Sequence, residues 1–150
     1  MKGKMKFALW ILLVFMVCAA SSVSAAEVII RNTLDNNVSV AFLYFDRATE
    51  LWTTWGWWNV GGNASRTIKI ENVNSNGGVY YAAISGSSHY VDKSTLNSAQ
   101  YKRWVIDEPF KINFDGKPKG KNARQILFYK SKYSNDAGAY IIRIDAKPVG

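Results

Sequence analysis

Val38-Ser39-Val40-Ala41-Phe42-Leu43-Tyr44-Phe45-Asp46, followed four residues later by Leu51-Trp52-Thr53-Thr54-Trp55-Gly56-Trp57-Trp58-Asn59-Val60, is the stretch on which the fold turns. Successive side chains of a strand point to opposite faces, so Val38, Val40, Phe42 and Tyr44 share one side while Ala41, Leu43 and Phe45 share the other. Both sides are apolar. A strand of that kind must be covered on both faces, which predicts a central position in a sheet. No sustained period of 3.6 residues runs through this stretch or through the residues C-terminal to it, so helices are not expected to build the fold.

On the N-terminal side, Val28-Ile29-Ile30 reads as an opening strand, separated from the central one by turn residues from Asn32 to Asn37. Downstream, the aromatic run ends at Gly61-Gly62-Asn63, and Arg66 to Glu71 alternates with Ile68 and Ile70 inward. That pattern reads as a hairpin with the aromatic strand. After the turn cluster Asn74 to Gly78 comes a strand from Val79 to Ser85, apolar on both sides, and then a loop tip at Ser85-Gly86-Ser87-Ser88. Asp92 to Arg103 is polar, with Leu96 and Tyr101 as isolated anchors, and reads as a long loop or one short helix. Phe110 to Phe114, Ile126 to Lys130 and Tyr140 to Asp145 supply further strands, the last with Tyr140, Ile142 and Ile144 inward. Seven or eight short strands at regular spacing predict an all-β, antiparallel β-sandwich or flattened barrel.

Upstream, Lys2, Lys4 and Lys6 precede an apolar run of 14 residues, Phe7 to Ala20, and then the small residues Ser21 to Ala26. This is the layout of a signal peptide, with Val23 and Ala25 placing the cut after residue 25. A spanning helix needs roughly 20 apolar residues, so a permanent anchor is disfavoured. The expected organisation is a leader over 1–25 and a single domain over 26–150, exported to the periplasm, the cell surface or the medium. Cys18 lies in the leader, with Val17 before it where a lipid-attachment signal wants a small residue. The mature domain therefore has no disulfide and must be held by packing, which a chain of this size can achieve. The net charge of +8 includes three leader lysines, leaving +5 on the mature domain. That is too little for a nucleic-acid binder, and suits anionic envelope polymers or lipid headgroups better.

Trp52, Gly56, Trp57 and Trp58, in the spacing W-x-x-x-G-W-W, stand with Asn32, the Val38 to Ala41 strand, the Gly61-Gly62 turn and Tyr80-Tyr81. Together they resemble the pattern of a bacterial family catalogued as Domain of Unknown Function 1036, over Val28 to Phe114. The resemblance implies a small exported or envelope-associated β domain and supplies no activity. Members often carry cysteines beside the first Asn and after the glycine turn. This chain has Arg31 and Ser65 near those points, so chemistry or bridging that depends on them is absent.

The tryptophans are the leading candidates for a binding site. Strict alternation sends Trp52 and Trp58 one way and Trp55 and Trp57 the other. Gly56 within the run signals a bulge, which would change which rings share a face. One reading packs these rings into both faces of a sheet. The other makes Trp52, Trp55, Trp57 and Trp58 a platform for sugar rings or a headgroup, with Arg47, Glu50 and Asn59 as polar contacts. A second candidate is the basic loop with Lys117, Lys119, Lys121 and Arg124, which is either a solvated turn or a contact for anionic polymer.

Catalytic sets are weak. His89 is the only histidine, near Ser88 and Asp92, without a nucleophile elbow. Asp46 with Glu50, and Asp107 with Glu108, are conceivable carboxylate pairs, but nothing distinguishes them from surface residues. With one His and no Cys, neither a metal site nor a cofactor is expected. The expectation is an exported, non-enzymatic, tryptophan-rich domain that binds an envelope or extracellular ligand, glycan ahead of protein. Two alternatives stay open. One is a surface assembly protein pairing through an edge strand such as Tyr140 to Asp145. The other is a domain that attaches to a membrane surface through its Trp cluster and basic loops. The oligomeric state is left open.

Overall fold

The computed structural model describes residues 25–119 and 122–147. The expected leader up to residue 24, and Lys121 of the basic loop, lie outside the described residues. Eleven strands run through them: β1 (Ala26–Asn32), β2 (Val38–Asp46), β3 (Leu51–Val60), β4 (Ser65–Ile70), β5 (Val79–Ser85), β6 (Ser88–Tyr90), β7 (Gln100–Val105), β8 (Phe110–Ile112), β9 (Arg124–Lys130), β10 (Lys132–Ser134) and β11 (Ala139–Ile144). The helical content among these residues is one 3-10 turn, Lys93–Thr95. One sheet has the order β10-β11-β1-β4; the other runs β7-β9-β5-β2-β3-β8, with β6 paired to β5 off that path. The all-β expectation holds. The ladders are antiparallel except that β1 and β11 run parallel.

β2 and β5 lie side by side in the middle of the larger sheet, and both of their faces are buried. Each face meets a different partner. On one side Val40, Phe42, Tyr44, Tyr81 and Ala83 pack against Val28, Ile30, Ile68, Ile70, Ile142 and Ile144 of the smaller sheet. This is the sandwich core. On the other side Ala41, Leu43, Tyr80 and Ala82 pack against Val105, Phe110, Ile112, Ile126 and Phe128, which all belong to the same seven-stranded sheet. The larger sheet therefore curls into a half-barrel around a second core. Side chains from β3 draw its outer strands together: the Trp57 indole N–H donates to the Ile106 carbonyl at 2.8 Å, and the Trp52 ring lies 6.2 Å from that of Tyr101 on β7. Arg103 of β7 adds an ion pair at 3.5 Å to Asp115, beyond β8.

Several expectations change. The predicted hairpin of β3 with β4 does not form, because β4 pairs with β1 in the other sheet, from Ala26↔Ile70 to Arg31↔Ser65. Asn32, 2% exposed, ties the turn after β3 to the β1–β2 loop. Its Nδ2 donates to the carbonyls of Asn36 at 2.8 Å and Gly61 at 2.9 Å, and its Oδ1 accepts from the Leu34 N–H at 3.1 Å. Gly62 seals the crossing, since a Cβ there would overlap the Asp35 carbonyl. Turn residues that looked like a hairpin closure are thus engaged with the β1–β2 loop. β11 is not an edge strand either; it lies between β10 and β1. Phe114, expected in a strand, lies beyond β8 and is 50% exposed. The polar segment from Asp92 resolves into the 3-10 turn and β7, where Tyr101, Arg103 and Val105 alternate with Gln100, Lys102 and Trp104. Asp92 caps the turn: one carboxylate oxygen accepts from the Ser94 N–H at 2.8 Å and the other from the Arg143 N–H of β11 at 3.1 Å.

Candidate functional site

The four tryptophans of β3 are sorted by a bulge. The β2–β3 register passes from Val40↔Trp58 to Phe42↔Trp55, so Ala41 alone stands opposite Gly56 and Trp57. A Cβ on Gly56 would come within 2.6 Å of the Ala41 Cβ, so only glycine lets the two strands approach there. The extra residue overturns strict alternation. Trp55 and Trp58 share the sandwich-core side, edge to face with centroids 4.8 Å apart, and Trp52 and Trp57 share the half-barrel side.

Their environments differ. The Trp55–Trp58 pair is covered by cations: Lys111 Nζ lies 5.3 Å from the Trp55 ring and the Arg66 guanidinium 5.2 Å from the Trp58 ring. Arg66 is fixed there by donating to the Asn59 carbonyl at 2.8 Å. Trp57 is engaged on its ring and its nitrogen, against Phe110 at 5.6 Å and on the Ile106 carbonyl. Trp52 belongs to a group of four rings from four strands. It meets Phe45 of β2 at 5.8 Å, Tyr80 of β5 at 6.0 Å and Tyr101 of β7 at 6.2 Å, while Tyr80 and Tyr101 meet at 5.0 Å. Tyr80 is buried and holds the floor, and burial with the neighbouring Tyr101 raises its pKa. Tyr101 is 42% exposed. The Arg103 guanidinium lies 5.6 Å from the Tyr101 ring. This is the open aromatic surface.

The polar candidates do not gather around one tryptophan. Arg47 and Glu50 are exposed in the β2–β3 turn, with Glu50 at φ 56, next to the Trp52 end of β3. Asn59 stands nine positions further on, about 25–30 Å along the strand, and its Oδ1 accepts from the Ser39 hydroxyl at 2.7 Å. In the basic loop, Lys117 Nζ sits 5.6 Å from the Trp104 ring, Arg124 pairs with Asp107 at 3.5 Å, and Lys119 is exposed. The polar residues considered for catalysis have other engagements. Asp92 is committed to its cap, and Asp46 is buried with its Oδ1 accepting from the Ala48 N–H at 2.8 Å. His89 lies exposed on β6, opposite Ile84. Among the described residues no group of three or more His, Cys, Asp or Glu is placed to hold a metal ion.

Sequence reasoning missed Phe45, Tyr80, Tyr101 and Arg103 as site residues. The signal available was the Tyr101-x-Arg103-x-Val105 alternation, hidden by an arginine at an inward position. No protein-family model, no curated protein and no solved structure matches the chain.

Proposed function

We propose that the domain is an exported, non-enzymatic binding module that takes a glycan-like envelope or extracellular ligand on the aromatic surface of Trp52 and Tyr101. The observation that carries this reading is the exposed Tyr101 ring beside Trp52, tilted 34° to it, with Arg103 against its edge of the cluster. A sugar ring offers an apolar C–H face and a polar rim, and a ring face flanked by a guanidinium and phenol hydroxyls complements both. Phe45 and Tyr80 hold Trp52 edge-on, so little ordering cost remains on binding. A leader-like N-terminal sequence and a modest positive charge support the exported setting.

The test is a glycan array, followed by titration calorimetry on a retained glycan. Tyr101→Ala is expected to weaken binding at least tenfold and, because that ring also packs on Trp52 and Tyr80, to lower the melting temperature while leaving the domain folded at the temperature of the titration. A folded wild-type domain that retains no glycan, or a Tyr101→Ala variant that binds like wild type, overturns the reading.

A further inference from the structure

The larger sheet contains a fork that the aromatic surface does not use. β5 pairs with β9 at Tyr80↔Lys130 and Tyr81↔Tyr129, but from Ala83 to Ser85 it pairs with β6 instead. β9 continues back to Arg124 paired with β7. β9 therefore leaves β5 beyond Tyr81, β6 takes its place on that edge, and residues of β5, β6, β7 and β9 line a cavity of about 470 Å³ there. That volume lies within the range of roughly 300–1,000 Å³ common for small-molecule sites.

Ala83, Tyr90, Leu127 and Tyr129 give the cavity an apolar lining. Its charged groups are Lys102 and Lys147, with His89 alongside, and no carboxylate lines it. Lys147 Nζ rests 5.7 Å from the Tyr90 ring. Among the described residues neither lysine has a carboxylate within ion-pair distance, while nearby Arg124 already has Asp107. Burial and, after it, the positive charge of Arg124 lower the His89 pKa. Lys102 and Tyr101 are neighbours on β7 and point to opposite faces, so this cavity is separate from the Trp52 surface.

We propose that the fork is a second binding site, for a small anion with an apolar body: a carboxylate- or phosphate-headed molecule whose head meets Lys102 and Lys147 and whose body packs on Leu127, Tyr129 and Ala83. Apolar lining supplies the burial, and the two lysines select the sign of charge. The proposal is independent of the glycan reading.

The experiment titrates the isotopically labelled mature domain separately with decanoate, decyl phosphate, octyl glucoside and decyltrimethylammonium, following amide shifts. Decanoate, decyl phosphate or both should bind at millimolar concentration or below, with shifts concentrated in Ser88–Tyr90 and Arg124–Tyr129. The two anionic probes distinguish a carboxylate from a phosphate head. The double variant Lys102→Glu, Lys147→Glu should weaken that binding at least tenfold at unchanged melting temperature, since both side chains are exposed. Equal binding of the neutral or cationic probe, shifts centred on Trp52 and Tyr101, unchanged affinity in the double variant, or no binding of either anion would each overturn the proposal.

Discussion

Tyr81 shows how single polar atoms tie the parts of this fold together. Its hydroxyl is buried, accepts from the Asp92 N–H at 2.7 Å, and lies 2.8 Å from Thr95 Oγ1. The Thr95 hydroxyl donates to the Asp92 carbonyl, so the tyrosine proton points to Thr95. Tyr81→Phe would strand the Asp92 N–H and is expected to cost about 1–3 kcal/mol, read from the urea midpoint. Burial raises the Tyr81 pKa, and burial with the Asp46 charge pushes Tyr44 up to about 12. The folded state thus keeps protons that the unfolded state releases near pH 10. Stability from these phenols is complete below pH 10 and falls as pH rises towards 12. An alkaline titration should show exposed tyrosines ionising first and a later group ionising together with loss of the circular dichroism signal. Tyrosines that all titrate near pH 10 in a still-folded domain would contradict this. Gly56→Ala, forced against Ala41, should cost about 1–3 kcal/mol through overpacking, measured the same way.

Among the strands, β2, β5 and β11 were legible because apolar residues on one or both alternating faces leave little choice of structure. β7 was not, since Arg103 occupies an inward position and answers Asp115, a residue twelve positions away in another part of the chain. Pairing was harder to read than strands. The Gly61-Gly62-Asn63 turn has every local mark of a hairpin, yet it is bonded to Asn32 at the end of β1 and to Leu34, Asp35 and Asn37 of the β1–β2 loop, distant in sequence. The site shows the same limit. Trp52 was visible, but Phe45, Tyr80 and Tyr101 reach it from three other strands, and Gly56 announced a bulge without revealing which rings it would pair. On β3 the two inward tryptophans then have different expected sensitivities. Trp57→Ala, which removes a packed ring and the bond to Ile106, should destabilise by about 3 kcal/mol or more in urea unfolding, as large aromatic truncations do. Trp52→Ala should reduce glycan affinity as well as stability.

A sheet covered on both faces explains how the described residues, which include five tryptophans and no cysteine, are held together. One face packs on a second sheet, the other on the sheet's own curled ends, and indoles sit at the seams of both. Opening either core should expose the other, so unfolding is expected to be a single transition by tryptophan fluorescence and by circular dichroism alike. On the acidic side the partly covered His89 adds a pH dependence of its own. Its folded pKa lies below the ordinary 6.5, so the unfolded state binds the proton first as pH falls. The wild-type urea midpoint should therefore drop between pH 7.5 and 5.5 by more than that of His89→Gln.

The division of labour among the tryptophans can be read by following the indole N–H resonances of residues 26–150 while a glycan retained on the array is titrated in. Trp52 should shift together with the Tyr101 ring signals, while Trp57, Trp55 and Trp58 hold still. Movement centred on the cation-covered pair Trp55 and Trp58, with Trp52 unchanged, would contradict the assignment.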